Sequence, residues 1–399
     1  MERPLGGSAV AGFDPVTGLA PSREASGGGR VRAFDLARGL AVAFMILVHV
    51  LFHWGKPETW STPVGSVISF LGGPLAMPVF MFLMGASLAF SSRSGFGSLA
   101  ARGLWLVWLG YLLNVLRGTL PATLAMEVGI VSQAEIEPFT PWWLLSTVDV
   151  HHMAGLSLVA IALLRLGPKP GWSWVALGAA IVVVTPLVRG LSFGTPLLDG
   201  PLTPVWGDAP NVYYALLPWV VYPLVGAVFG ASVARASDRV TTFRRAAVIG
   251  LALSAVGGAW ILVDPPGFDI NTYWRQPAQM VVGIMGVVFV WAWLCEVVTR
   301  RVPANRAFEI VYGWSGRVIA MYFAHWLIVT WTIGVIGFRS LSLEAVLVGM
   351  AVAVALTAWV SRPRPRLAAL AWIHAPWTML GRRPEAAADR LTGTRPARP

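Results

Sequence analysis

Residues 34–55 read FDLARGLAVAFMILVHVLFHWG, and this stretch decides the fold class. Positions 39–55 contain no Asp, Glu, Lys or Arg, so a helix over them presents apolar side chains on every side. A helix needs about 17–25 such residues to cross the hydrocarbon of a bilayer. The stretch therefore predicts a transmembrane helix that starts beside a charged pair and carries two histidines toward its end.

Further runs of the same kind follow, and each predicts one spanning helix. Where a run is short, a flanking arginine such as Arg102 or Arg117 completes the span by extending its head group to the membrane surface. Gly226-x-x-x-Gly230 predicts close packing between two helices. The sequence thus predicts an all-α, polytopic membrane protein of about ten transmembrane helices. The runs are 39–55, 59–92, 103–116, 150–164, 170–188, 209–234, 246–263, 276–295, 318–338 and 345–361.

Composition excludes most other classes of protein. The chain has 399 residues, of which 56% are hydrophobic and only 12% charged, whereas a soluble domain carries about 25% charged residues. Its single cysteine, Cys295, excludes an internal disulfide and a thiolate zinc site. The net charge of +11 comes from basic residues that are segregated between loops, which argues against a nucleic-acid module.

The distribution of Lys and Arg predicts the orientation. With ten alternating helices and a cytoplasmic N-terminus, 23 Lys and Arg fall on the inner side and five on the outer side, as the positive-inside rule requires. Both termini are then cytoplasmic. The predicted organisation is a disordered N-terminal segment over 1–33, a transmembrane domain over 34–361 and a basic cytoplasmic tail over 362–399.

Ionisable residues inside a span are costly and therefore raise a functional question. Asp35 and Arg38 are close enough on one helical face to form a pair. His49 lies eleven residues beyond Arg38, which is about 16 Å along the helix axis and about 20° from the same face, and His53 is one turn further. A snorkelling pair and satisfied core histidines are the structural alternatives.

Other chemically active residues lie at the ends of later spans. His151 and His152 follow Asp149 on the predicted outer side, and His325 lies within a late span. The histidine spacings specify no metal, and none is expected. Two long outer loops, over 118–149 and 189–212, combine carboxylates with Trp, which suits sugar binding; a simple shortage of Lys and Arg outside the cell is the alternative.

Several of these residues match known motifs. The segment FDLARGLA at 34–41, with a histidine eleven residues after Arg38, resembles the first helix of the transmembrane acyltransferase superfamily. That superfamily includes the acyltransferase-3 sugar O-acetylases and the heparan-α-glucosaminide N-acetyltransferase family. PVFMFLMGASLA at 78–89 resembles the P-x-F-x-F-x-x-G helix of the latter, and GR at 316–317 followed by YxxH at 322–325 resembles a late helix of both branches.

The resemblance extends over about residues 31–340 and implies a multi-pass acyltransferase of the plasma membrane. Such an enzyme takes an acetyl group from cytoplasmic acetyl-CoA, as co-substrate, and delivers it to a sugar amine or hydroxyl on the outer side. The implied partners are a sugar or glycan acceptor and membrane lipid, with a second copy of the chain left open and no nucleic acid. The implied site residues are His49 or His53 as general base, Asp35, Arg38 and Arg317 for coenzyme A, and Asp149, His152 and His325 for the acceptor.

The motifs come from two branches, which leaves alternatives open. The heparan branch usually has Asn where His49 stands and its active histidine in the following outer loop, but no histidine occurs here between Trp54 and Val150. His49 matches the acyltransferase-3 pattern instead. Whether His49 or His53 is the base therefore stays open, as does the choice between amine and hydroxyl. A transporter or flippase without acyl-transfer chemistry is the alternative class of function.

Overall fold

A computed structural model describes residues 30–362 except 93, 168 and 267–271. The N-terminal segment up to residue 29 and the basic tail from residue 363 lie outside the described residues, so their predicted disorder and location stay predictions. Within the described part the chain is helical and has no β-strand, only the isolated bridges Gly55–Leu341 and Val148–Val212. The helices are α1 Arg32–Trp54, α2 Pro57–Trp60, α3 Pro63–Gly72, α4 Met77–Ser87, α5 Phe96–Asn114, α6 Leu120–Glu127, α7 Gln133–Ile136, α8 Pro141–Leu145, α9 Val150–Leu164, α10 Trp172–Val188, α11 Pro196–Trp206, α12 Leu216–Trp219, α13 Val221–Arg235, α14 Arg239–Val263, α15 Thr272–Arg275, α16 Ala278–Arg301, α17 Arg306–Ser315, α18 Val318–Ile336 and α19 Leu343–Val360.

Eight helical stretches in the described part are long and apolar enough to cross a membrane. Two further apolar helices, α9 and α10, are shorter, with 15 and 17 residues. Together they correspond one to one with the ten runs read from the sequence, so the prediction of an all-α polytopic membrane protein is confirmed. The eight are Arg32–Trp54, Pro63–Phe90, Phe96–Glu127, Leu216–Arg235, Arg239–Val263, Ala278–Arg301, Val318–Ile336 and Leu343–Val360.

Helix α1 lies at the centre of the bundle, where α3, α4, α16, α17, α18 and α19 pack against it. Its last turn is held by the loop between α18 and α19, because Arg339 N–H donates to His53 O (2.9 Å) and Leu341 N–H donates to Trp54 O (2.8 Å). Trp54 Nε1 in turn donates to Val329 O of α18 (2.9 Å). These bonds satisfy carbonyls that a helix end leaves unpaired, and they fix α1 against α18.

Helices α4 and α13 approach each other closely through glycine. A Cβ added at Gly226 would collide with the carbonyl oxygen of Phe82, and one at Gly230 would collide with that of Ala86. Only glycine lets two helix backbones lie this close together. The packing role predicted for the Gly226-x-x-x-Gly230 motif is therefore confirmed.

We expect Gly226→Leu to destabilise the protein by about 1–3 kcal/mol, because the obstructing atom belongs to a helix backbone that cannot move aside cheaply. Thermal unfolding of the purified full-length protein in detergent measures this effect. Gly258→Leu is the matched control, since an added Cβ at Gly258 meets no atom within 4 Å. Equal melting temperatures for the two variants would show that this close approach does not stabilise the bundle.

One span continues further than the sequence indicated. The run over 103–116 was expected to end at a snorkelling Arg117, with a loop from residue 118. A π-helical turn, Val115–Thr119, instead joins α5 to α6 without a break. The Arg117 side chain is only 9% exposed, so the snorkelling interpretation is wrong. Hydropathy shows where charge first appears, but it does not show whether a charge finds a buried partner.

Candidate active site

The residues singled out on α1 lie at opposite ends of the helix. Arg38 belongs to its second turn and His49 to its last third, a separation of about 16 Å along the axis. We call these two regions the Arg38 end and the His49 end. Each end carries its own cluster of polar groups from other helices.

At the His49 end, a chain of two imidazoles joins α1 to α18. His49 Nδ1 lies 3.0 Å from His325 Nε2, and His325 Nδ1 lies 3.1 Å from Met321 O. A carbonyl only accepts, so His325 Nδ1 carries the hydrogen and, in the neutral ring, His325 Nε2 is the acceptor. His49 Nδ1 must then donate, which leaves the lone pair of neutral His49 on Nε2. This assignment follows from the hydrogen-bond network, and it gives His49 the tautomer of a base.

The three imidazoles at the His49 end differ in burial. His325 is fully buried, whereas His49 and His53 are half-buried. His53 Nδ1 lies 2.9 Å from His49 O, so this ring also keeps its lone pair on Nε2 when neutral. The indole of Trp326 lies against both, with ring centroids 4.2 Å from His49 and 5.3 Å from His53. The rings of His49 and His53 are therefore partly accessible, whereas the ring of His325 is enclosed.

A buried ion pair lies next to these rings. Arg117 Nη2 is 2.6 Å from Asp149 Oδ2, and each side chain is 9% exposed. Tyr322 donates its hydroxyl to the same carboxylate oxygen (3.3 Å). The Arg117 guanidinium lies 4.2 Å from the centre of the Trp326 ring, within the range of a cation–π contact. The indole therefore connects the ion pair to His49.

Local structure explains why Asp149 lies here. Its side chain accepts from Val150 N–H (2.7 Å) as the N-cap of α9, a position that carboxylates favour. Asn114 holds the preceding segment by donating to Thr147 O (2.7 Å), and its Oδ1 accepts from Arg117 (3.1 Å). One amide thus positions both partners of the ion pair.

The two histidines that follow Asp149 occupy different surroundings. His152 Nδ1 accepts from Asp149 N–H (3.2 Å) and so helps to start α9. Its ring lies against α5, where a Cβ at Gly110 would collide with it. His151 packs edge-on against Tyr322, with ring centroids 4.4 Å apart. Both rings thus take part in helix packing beside Asp149.

An aromatic row lies near the same end. Tyr213 N–H donates to Val148 O (3.0 Å), which places this residue beside the start of α9. The ring centroid of Tyr213 is 6.3 Å from that of Trp143 and 5.1 Å from that of Trp274. All three side chains are half-buried, so they expose part of their rings.

At the Arg38 end, the predicted pair is present. Arg38 Nη1 lies 3.7 Å from Asp35 Oδ1, and the Ser315 hydroxyl donates to that same oxygen (3.0 Å). The Arg38 guanidinium also donates to the hydroxyl oxygens of Ser87 and Ser315. The structure therefore brings Asp35 and Arg38 together and adds serines from α4 and α17.

Arg317 occupies a different position from Asp35 and Arg38. It is the N-cap residue of α18, and it donates to Gly313 O (3.1 Å) and to Ala358 O and Ser361 Oγ (both 3.5 Å). Cations commonly stabilise the carbonyls at a helix C-terminus in this way. Its contacts with the end of α19 give it a structural task that the sequence did not indicate.

Sequence reasoning missed several residues of the cluster at the His49 end. The length of the apolar run places Arg117 at the membrane edge, and nothing in the sequence indicates a role for Trp326, although it directly follows His325. The sequence indicates Tyr322 only as part of a motif. One feature of the sequence could have indicated the Arg117–Asp149 pair: an arginine ends one span and an Asp begins the next, on the same predicted side of the membrane. In the described part of the chain, no group of three or more His, Cys, Asp or Glu is arranged to hold a metal ion.

A comparison with known families shows which family the chain belongs to. A family described as heparan-alpha-glucosaminide N-acetyltransferase, catalytic, matches residues 30–263, more than half of the 399 residues. The chain belongs to this family. It is therefore a membrane acetyltransferase, and the family resemblance read from its motifs is confirmed. A comparison with curated proteins finds no match.

The family match covers only part of the two polar clusters. The matched region contains Asp35, Arg38, His49, Arg117 and Asp149. Helix α18 lies beyond the match, yet it supplies the ring that is hydrogen-bonded to His49 and the indole that contacts it. In this acetyltransferase, the cluster at the His49 end is complete only when the late helix packs against α1.

Proposed function

We propose that this acetyltransferase transfers the acetyl group of acetyl-CoA to the amine of a sugar, with His49 as the general base. The observation that carries this proposal is the His49–His325 hydrogen bond of 3.0 Å. It leaves Nε2 of a half-buried imidazole without a proton and able to accept one. A positioned base of this kind accelerates proton transfer by about 10²–10⁴-fold.

In the proposed step, His49 Nε2 takes the proton of the acceptor amine as the new nitrogen–carbon bond forms. The carbon–sulfur bond of the thioester breaks, and the proton passes from His49 to the departing thiolate. The products are an N-acetylated sugar and a free thiol, with no net gain or loss of protons. His53 is the second candidate base, because its Nε2 is available in the same way. A sugar hydroxyl can be acylated by the same sequence of events.

We assign His325 to positioning rather than to acceptor binding. Its ring is completely buried between His49 and the Met321 carbonyl, as with a residue that holds the tautomer of a base. Asp149 remains the proposed acceptor-binding carboxylate. His152 supports it by accepting the Asp149 backbone N–H at the start of α9.

The aromatic row supports a sugar as the acceptor. The rings of Trp143, Tyr213 and Trp274 adjoin the segment that leads into Asp149. Apolar faces of a pyranose stack on such rings, while hydroxyl or amine groups bond to a carboxylate. A glycan chain can thus lie along the row with its reacting group directed to the His49 end.

We assign the donor to the opposite end. Arg38, oriented by Asp35 and two serines, is suited to the phosphates of coenzyme A because its planar fork matches their geometry. The pantetheine arm then has to extend along α1 for about 16 Å to bring the thioester to His49. This direction agrees with a donor on the cytoplasmic side and an acceptor on the outer side.

The experiment that tests the proposed function uses the full-length protein in phosphatidylcholine nanodiscs with radiolabelled acetyl-CoA. Glucosamine and glucose serve as paired acceptors, since they differ only at carbon 2, which carries an amine in glucosamine and a hydroxyl in glucose. We expect labelled N-acetylglucosamine in excess over any acetylated glucose. Binding of acetyl-CoA without transfer to either sugar, or to an amino-sugar oligosaccharide, would contradict the proposal.

We also propose how the chain is divided into segments and in which membrane it lies. We assign residues 34–361 to the acyltransferase domain, with flanking segments 1–33 and 362–399 on the cytoplasmic side of the plasma membrane. The support is the distribution of Lys and Arg, with 23 residues on one predicted side and five on the other. The His49 end then faces outward.

Cysteine labelling measures that orientation. On a Cys295→Ala background, we expect Ile130→Cys to react with a membrane-impermeant maleimide in intact cells, because Ile130 is 73% exposed at the predicted outer side. Lys169→Cys is the matched control at the opposite end and should react only after permeabilisation. The reverse pattern would invert the orientation and place the donor outside.

A further inference from the structure

Trp326 carries a buried hydrogen-bond donor that no step of the proposed reaction uses. The residue is 8% exposed, and in the described part of the chain its indole N–H, at Nε1, completes no hydrogen bond. An indole nitrogen only donates, so this assignment depends on neither a tautomer nor an amide orientation. A buried donor left unpaired costs about 1–3 kcal/mol, which a ligand oxygen that accepts from it would recover.

Other tryptophans of the bundle do find acceptors. Trp54 Nε1 donates to Val329 O (2.9 Å), and Trp219 Nε1 donates to Trp274 O (2.8 Å). Trp291 Nε1, on α16, is a second buried donor without an acceptor in the described residues, and its ring packs against Phe44 with centroids 6.0 Å apart. Trp326 differs from Trp291 because its donor lies within a polar cluster.

The position of Trp326 relative to the proposed base is favourable for acyl transfer. Its ring centroid lies 4.2 Å from that of His49 and 5.3 Å from that of His53. Trp326 Nε1 and His49 Nε2 belong to rings in direct contact, so one small reacting group can bridge the two atoms. A base for the attacking nitrogen and a donor for the carbonyl oxygen are needed around the same carbon.

The surroundings strengthen this donor. The Arg117 guanidinium lies 4.2 Å from the centre of the Trp326 ring, and a cation over an aromatic face is attracted to its electrons. That cation polarises the ring and makes its N–H a better donor, as charged neighbours do in a hydrogen-bonded network. In a buried, pre-organised site a hydrogen bond to developing negative charge is worth far more than in water.

We propose that the Trp326 N–H stabilises the oxyanion that forms during acetyl transfer. As the acceptor nitrogen attacks the acetyl carbon, the π electron pair of the carbonyl moves to its oxygen, and Trp326 donates to that oxygen. The pair returns when the carbon–sulfur bond breaks and the thiolate leaves, while the proton passes through His49. The inference rests on the proposed function, which places the reacting thioester at the His49 end.

The first test measures single-turnover transfer to glucosamine by the full-length protein in phosphatidylcholine nanodiscs. We expect Trp326→Phe to lower the rate by about 100- to 1,000-fold, the usual cost of losing one oxyanion donor, with the affinity for coenzyme A unchanged. β-(3-Benzothienyl)alanine introduced at position 326 keeps the bicyclic ring but has sulfur in place of the N–H, and it should slow transfer as much. Trp291→Phe is the matched control and should retain the parent rate, because its N–H lies outside the polar cluster.

The second test is infrared spectroscopy of bound acetyl-CoA that carries ¹³C at the thioester carbonyl. The carbonyl stretch should lie at lower frequency in the parent than in the benzothienylalanine variant, because accepting a hydrogen bond weakens the double bond. Equal frequencies, or a parent-like rate in that variant, would overturn the inference. A slow Trp326→Phe beside a parent-like benzothienylalanine variant would assign the indole to packing alone. A frequency difference in protein that acetylates no sugar would contradict the proposed function but not the donor.

Discussion

We expect His49→Ala to lower the rate of acetyl transfer at saturating acetyl-CoA by about 100- to 10,000-fold. The alanine removes the Nε2 lone pair that the His325 hydrogen bond leaves available. The Arg38 end is not touched by the change, so binding of acetyl-CoA should be retained. Single-turnover kinetics with glucosamine measure the chemical step, and titration with coenzyme A measures binding separately.

Companion variants distinguish the base from its surroundings. His53→Ala should lower the rate of acetyl transfer less than His49→Ala does, because the His49–His325 hydrogen bond remains intact. His325→Gln should retain more activity than His325→Leu, since the amide oxygen can still accept from His49 Nδ1. Near-normal turnover by both His49→Ala and His53→Ala, in protein that binds coenzyme A normally, would remove the histidines from the mechanism and favour a transporter or flippase.

We expect Arg117→Met to destabilise the protein by about 3–5 kcal/mol, because it leaves the Asp149 carboxylate buried without its counter-charge. The double variant Arg117→Met with Asp149→Asn should recover much of that loss, since no charge then remains in the site. Thermal unfolding of the purified proteins measures both effects. The double variant should still be inactive if Asp149 binds the acceptor.

A second ion pair in the same chain is the matched control. Arg275 Nε lies 2.7 Å from Asp208 Oδ1, but these side chains are 38% and 41% exposed. Exposed pairs contribute only about 0–1 kcal/mol, so Arg275→Met should change the melting temperature little. An equally small effect of Arg117→Met would mean that water reaches the Arg117–Asp149 pair and that it does not anchor the site.

Most residues of the candidate site could be predicted from the sequence, but the contacts between residues on different helices could not. Asp35, Arg38, His49 and His53 share one face of one helix, and 3.6-residue periodicity is enough to show that. The sequence also placed Asp149 and His49 on the same predicted side of the membrane. It assigned His325 to the acceptor, whereas the structure makes this ring the hydrogen-bond partner of His49.

The number and approximate limits of the apolar helices follow from the sequence alone, because lipid requires each span to be apolar and to satisfy its own backbone hydrogen bonds. Only the tertiary structure decides which spans touch. His49 and His325 are 276 residues apart, and the partner of Arg117 became visible only once a π-turn carried α5 past its apolar run. Hydropathy is a local property, whereas a buried hydrogen bond or ion pair depends on how helices that are distant in the chain pack together.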